Sequence, residues 1–137
     1  MNPIRSAKML LRENGGKFLV LRRSGTHPRH PYYPDLPGGD IETGESFEMG
    51  LARELLEETG LTVDTAQARL LHASTAPHES GDSISHLLYL VTIDAHEPEV
   101  TISWEHDQHA WKTVEELMDF EEAFQAAINY AKQHEIL

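Results

Sequence analysis

At 137 residues the chain is long enough for one domain with a real core. Its 23 acidic residues against 11 Lys and Arg, a net charge of -12, exclude a nonspecific binder of nucleic-acid backbone, and the absence of cysteine excludes disulfides and thiolate zinc sites. No apolar run is long enough to span a bilayer, and the opening M-N-P-I-R-S-A-K lacks the apolar core of a signal peptide, so the expectation is a single cytoplasmic domain over residues 1–137 with no membrane partner.

The charge is unevenly placed. Residues 1–37 carry seven of the eleven Lys and Arg against two of the 23 acids, so this segment is +5 and the rest of the chain -17. In the basic segment, Ala7 to Arg12 and Lys17 to Arg23 are apolar-rich runs joined by Glu13-Asn14-Gly15-Gly16, a β-hairpin signal. The second run ends in the pair Arg22 and Arg23. Ser24 to Pro37 holds Gly25 and four prolines and reads as a loop, in which Tyr32 and Tyr33 either stack on a base or, the favoured reading, cover the edge of the core.

The next stretch, Gly39 to Leu61, concentrates features at fixed spacing. Ser46 can cap a helix whose first turn holds Glu48, and Gly60 can end it in the left-handed conformation. At about 100° per residue, Glu54, Glu57 and Glu58 fall within an arc of about 100°, while Leu51, Ala52, Leu55 and Leu56 lie around the other side. Such a helix is anchored by one face and presents carboxylates on the other. Three close carboxylates repel one another, and Arg53 is the one nearby cation in the helix. The arrangement suits either a solvated acidic face or a divalent cation held by hard oxygen ligands.

After this helix, Ala68 to Ala76 and Ser83 to Asp94 read as strands joined by the polar loop Pro77 to Asp82. Glu99 to Ser103 and Ala110 to Thr113 are shorter strand candidates around the loop Trp104 to His109, and Trp111, in the second of them, is expected in the core rather than as a base platform. His106 and His109 have no regular metal spacing and read as surface residues or substrate contacts. Thr113-Val114-Glu115-Glu116 has the form of a capping box opening a short helix to Met118. Phe120, Ala123, Phe124, Ala127, Ile128 and Ala131 then repeat at helical spacing, so a final helix packs one face on a sheet. Strands, helix, strands and helix in this order give an α/β class with a mixed sheet between helices.

The spacing from Gly39 onward, Gly-x5-Glu-x7-Arg-Glu-U-x-Glu-Glu-x-Gly-U with Leu55 and Leu61 as the bulky aliphatics, fixes nine positions in 23 residues. It resembles the signature box of the Nudix hydrolases without a miss. The resemblance implies a Nudix-type α/β/α sandwich. It further implies Mg²⁺ or Mn²⁺ held by Glu54, Glu57 and Glu58 with the carbonyl of Gly39 as a further ligand, Arg53 orienting those carboxylates, and Glu45 in a supporting role. The general base in the family is either the first glutamate of the helix, here Glu54, or an acid on a later loop. Glu105 is the candidate for the latter, because Glu105-His106-x4-Trp111 resembles a recurring family segment; Asp107 and Glu79 are its rivals. An arginine at the end of the second strand lies beside the substrate in such proteins, which makes Arg22 and Arg23 candidates for phosphate contact.

The activity implied is metal-dependent hydrolysis of a nucleoside diphosphate linked to another moiety, such as a nucleoside triphosphate, ADP-ribose or a dinucleoside polyphosphate. The partner is then a small nucleotide, with an edge-strand homodimer a possible assembly. The other classes weighed are a nucleotide-sensing module without turnover, which has no need of the intact set of carboxylates, and an isoprenoid diphosphate isomerase, whose box is usually degenerate and whose acid would be a cysteine.

Overall fold

The computed structural model describes residues 3–137. Seven strands, β1 (Ile4–Arg12), β2 (Phe18–Arg23), β3 (Pro34–Asp35), β4 (Gly38–Asp40), β5 (Arg69–Pro77), β6 (Ser83–Thr92) and β7 (His106–Lys112), form one mixed sheet. Two α-helices, α1 (Phe47–Thr59) and α2 (Glu122–Gln133), complete the fold. β1 lies parallel to β6 from Ile4 opposite Ile84 to Arg12 opposite Thr92, and β5 runs antiparallel to β6.

Alternation along the strands separates two cores, because successive side chains point to opposite faces. Ala7, Met9, Leu11, Leu19, Leu21, Tyr89 and Val91 face α1 and pack with its Leu51 and Leu55. Leu10, Phe18, Leu88 and Leu90 point the other way, onto Phe124, Ala127 and Ile128 of α2. β1 is therefore buried on both faces, and its apolar run is nearly continuous. This is the sandwich of a mixed sheet between helices that the sequence implied.

β1 and β2 pair at Arg12 and Phe18, next to their turn, and then part. The edges so released are taken by the strap β3–β4: β4 pairs with β1 from Ser6 to Lys8, and β3 with β2 at Leu21 and Arg22. The split in the sheet opens a space beside the N-terminal half of β1. Gly38 makes the close approach possible, since at φ 129° a side chain there would be strained and its Cβ would run into the carbonyl oxygen of Ala7.

Helix α1 begins and ends as its sequence foretold. Ser46 accepts a hydrogen bond from the Met49 amide at 3.1 Å, and Gly60, at φ 74°, donates its amide to the Leu56 carbonyl at 2.9 Å. Two expected strands differ. Glu99 to Ser103 joins no sheet: the Thr101 and Ser103 amides donate to the carbonyls of Thr59 and Glu58, satisfying groups that the helix end leaves unpaired. β7, by contrast, begins at His106, four residues ahead of the expected Ala110, because it pairs with β2 alone and tolerates polar residues along its exposed side. The segment after Thr113 is a single 3-10 turn, Val114–Glu116, shorter than the helix to Met118 expected there; Glu116 does accept the Thr113 amide at 2.9 Å. Leu56 is exposed, so the inward stripe of α1 is narrower than its apolar residues suggested.

Candidate active site

The three helix glutamates stand at different depths. Glu58 lies within about 20° of Leu51 around the helix and is carried inward with it, its side chain 3% exposed; Glu54 is 15% exposed and Glu57 57%. Burial pushes the Glu58 carboxyl up to about 8, against the opposing effects of Lys8 and of the Gly38 amide, which donates to Glu58 Oε1 at 2.8 Å. Burial raises Glu54 as well, with Arg53 pulling the other way and Glu57 and Glu105 adding to the rise.

Arg53 ties the acids to the loop before the helix. Its Nε and Nη2 donate to the two oxygens of Glu45 at 2.7 and 3.0 Å, a bidentate pair, and Nη2 also reaches the Asp40 carbonyl at 3.0 Å. The remaining Nη1 reaches Glu54 at 3.2 Å and Glu57 at 3.3 Å. Glu45 thus fixes the guanidinium and the guanidinium fixes two of the three carboxylates. The Glu45 bonds raise the arginine further above its already high range, while burial opposes them.

These acids line one end of a cleft of about 280 Å³ that runs along the split in the sheet. Glu105, immediately before β7, lines it too, its backbone anchored where its carbonyl accepts the Ser24 amide at 2.9 Å. Its carboxylate lies 3.9 Å from His27 Nε2. Farther along, the lining includes Arg23, Lys8, His86, Glu121 and Phe124.

Here Lys8, Arg23 and Asp35 are buried, and the charges are internally matched. Lys8 donates its three protons to Asp35 Oδ1 at 3.1 Å and to the carbonyls of Leu36 and Gly38 at 3.2 and 3.0 Å, which leaves none for a ligand. Asp35 also accepts the Leu36 amide at 2.9 Å and bonds His106 Nε2 at 2.9 Å. Burial would raise the Asp35 carboxyl, but Lys8, the His106 bond and Arg23 hold it far below the ordinary range. Arg23 donates to the Arg29 carbonyl at 3.1 Å and to Glu121 Oε1 at 2.9 Å.

The paired arginines separate, as neighbours on a strand do. Arg23 faces the cleft, whereas Arg22 points to the other side, bonded by both arms to Asp107 at 2.8 and 2.7 Å and 5.5 Å from the Tyr32 ring. That bond also takes Asp107 away from the cleft, and Glu79 is exposed on the β5–β6 loop. Tyr32 and Tyr33 are largely exposed and do not cover the core, and Trp111 packs against the α1-side core. His106 is buried against Asp35, neither a surface residue nor open to a substrate; His109 is exposed.

Lys8, Asp35 and Glu121 were not singled out in the sequence as parts of the site, and His106 was read there as a surface residue or substrate contact. A signal existed for Lys8, a charged residue within the apolar run Ala7 to Leu11 of a strand buried on both faces. Asp35 and Glu121 meet it only through long-range folding, and nothing in their local pattern marks them.

The donor set suits a hard divalent cation. Glu54, Glu57, Glu58 and Glu105 offer carboxylate oxygens around one end of the cleft, with no sulfur. Gly39 leaves room beside them, since a Cβ there would lie 3.0 Å from Glu54 Oε1. Among the described residues no three acids or histidines already stand in coordinating positions, so an ion would have to draw the carboxylates together.

The family model described as NUDIX domain matches residues 2–133. This chain belongs to the Nudix hydrolase family. The MutT protein from Methanosarcina mazei Go1 is similar in structure with a TM-score of 0.79 at 25% identity, over 97% of this chain and 95% of that one. A Caenorhabditis elegans Ap4A hydrolase, at 19% identity and a TM-score of 0.72 over 97% and 98% of the two chains, shares the fold. In sequence, a MutT-like protein from Streptomyces ambofaciens is 34% identical over 77 residues, 55% of this chain and 45% of that protein. An oxidized purine nucleoside triphosphate hydrolase from Danio rerio is 64% identical over 28 residues, 20% of this chain and 18% of its own length. These matches span less than half of either curated relative. No helix of this Nudix protein, among the described residues, is long and apolar enough to cross a membrane.

Proposed function

We propose that this chain is a Mg²⁺- or Mn²⁺-dependent pyrophosphohydrolase that cleaves a nucleoside diphosphate linked to another moiety, releasing a nucleoside monophosphate and a phosphorylated or pyrophosphate product. The observation that carries the reading is a single cleft with four glutamates at one end and Arg23 farther along it. The name of one relative, an oxidized purine nucleoside triphosphate hydrolase, supports nucleoside triphosphates as the first substrates to try, with dinucleoside polyphosphates and ADP-ribose after them.

Glu54, Glu57 and Glu58, with the Gly39 carbonyl, would hold the metal. When bound, the ion neutralises phosphate oxygens and lowers the pKa of a coordinated water. Arg53, fixed by Glu45, keeps Glu54 and Glu57 in place. Arg23 meets a phosphate of the substrate and orients it along the cleft. Glu105 accepts the proton of the attacking water: it lines the same cleft from the opposite element, and its nearest ionic partner is His27 at 3.9 Å, whereas Glu54 is already engaged by Arg53.

The test is a broad nucleotide panel with product identification, with Mg²⁺ present and absent. Turnover confined to the metal-containing reactions and a nucleoside monophosphate among the products are expected. Tight nucleotide binding with no turnover under any metal would make the chain a sensing module instead.

A further inference from the structure

Arg23 carries two carboxylates of different standing. Asp35 is buried and divides its oxygens among Lys8, the Leu36 amide and His106, so its contacts with the guanidinium are long, 3.5 Å to Nη2 and 3.4 Å to Nε, and Nε is left without a hydrogen bond. Glu121 makes the short contact, 2.9 Å from Nη2. Its side chain is 36% exposed, and among the described residues Arg23 is its one hydrogen-bond partner. It sits at the N-cap position of α2 yet caps nothing with its side chain, so nothing but Arg23 holds it in the cleft.

The charges explain why it is there. Lys8 and Arg23 bring two buried positive charges to this end, and Asp35 supplies one negative charge to both. A guanidinium left bare at that depth would be costly. An acid rooted at the rim can neutralise it and still turn out to solvent.

We propose that Glu121 stands in for the substrate phosphate on Arg23, so that binding exchanges one anion for another. This rests on the reading of Arg23 as a phosphate contact. The carboxylate keeps the empty cleft neutral at its inner end and lowers its affinity for phosphate, which limits retention of a phosphate-bearing product. Glu121 is then an affinity-determining residue whose removal improves binding, the opposite of what removal of a substrate contact does.

The experiment is calorimetric titration of α,β-methylene ATP with Mg²⁺ into the full chain and its E121Q, R23A and R23A/E121Q variants. Expected is an E121Q protein that binds about five- to tenfold more tightly, the scale of one charge-assisted contact no longer displaced. R23A should bind more weakly, and the double variant should match R23A. Weaker binding by E121Q would make Glu121 a substrate contact and overturn the proposal. So would an equal gain in the R23A background, which would mark a general charge effect. Unchanged E121Q beside a weakened R23A overturns the exchange and leaves the Arg23 reading intact, whereas an R23A protein that binds like wild type overturns both.

Discussion

The two ends of the cleft solve the problem of charge in opposite ways. At the α1 end, Glu54, Glu57, Glu58 and Glu105 lie together, and the one arginine there, Arg53, is held by Glu45 through Nε and Nη2 and reaches only Glu54 and Glu57 of the four. At the α2 end, Lys8, Arg23, Asp35 and Glu121 are matched charge for charge, and every proton on the Lys8 ammonium is spent within the protein. The deficit therefore lies with the acids. A cation can lower the free energy of the first end simply by arriving, whereas an anion reaching the second must displace something.

If that contrast is right, removal of divalent cations has the largest effect of all. Hydrolysis should fall to background in excess chelator and return with Mg²⁺ or Mn²⁺, because an unneutralised acidic end repels the substrate. Full turnover in chelator would erase the distinction between the ends.

Next in size is the proposed base. Glu105→Gln should lower kcat by roughly 10² to 10⁴ with Mg²⁺ affinity nearly kept, since a base acts in the transition state. Metal titrations of kcat for this variant and for Glu54→Gln separate the roles. A Glu105 variant with unchanged kcat at every metal concentration removes it from the chemistry and passes the role to Glu54.

Glu57→Gln and Glu58→Gln should each cost on the order of 10² in rate, partly recovered by excess metal. Wild-type turnover by both at limiting Mg²⁺ would show that neither is a ligand. At the other end, Arg23→Ala should remove a charge-assisted contact worth about 1.5 to 3 kcal/mol, seen mainly in KM. Arg22→Ala should change KM little, as its guanidinium is turned to Asp107. Equal effects from the two would contradict the division of the strand's faces.

The smallest effect is a pH dependence. Glu58, at about 8 in the folded metal-free protein, retains a proton that the unfolded chain, at the ordinary 4.5, has lost. Its protonation therefore stabilises the fold fully below about pH 4.5, and that contribution is lost as the pH rises toward 8. Metal-free Tm should fall over this window more in wild type than in Glu58→Gln, and Mg²⁺ binding near pH 7 should release a proton from wild type. Identical pH slopes for the two proteins would place the titration elsewhere.

The acidic end was legible in the sequence because Glu54, Glu57 and Glu58 share one helix, where spacing is geometry. Leu51 and Leu55 announced the buried face, Ser46 and Gly60 the ends, and the nine fixed positions the family. The inner end was legible only at Arg23, since Lys8, Asp35, His106 and Glu121 come from β1, β3, β7 and the start of α2 and meet it only when the sheet splits around the strap. The same holds for β7, whose polar residues hid a strand that pairs on one edge, and for Glu99 to Ser103, whose strand-like run serves to close a helix end.

The central claim, that the open charge of the cleft is the acids' and not the cations', is tested most directly by calorimetric titration of Mg²⁺ into the nucleotide-free protein. Wild type and Arg23→Ala should bind the ion alike, while Glu57→Gln and Glu58→Gln bind at least about tenfold more weakly, on the scale of losing one ligand. Undiminished Mg²⁺ affinity in both glutamate variants, or a loss in Arg23→Ala as large as theirs, would contradict it.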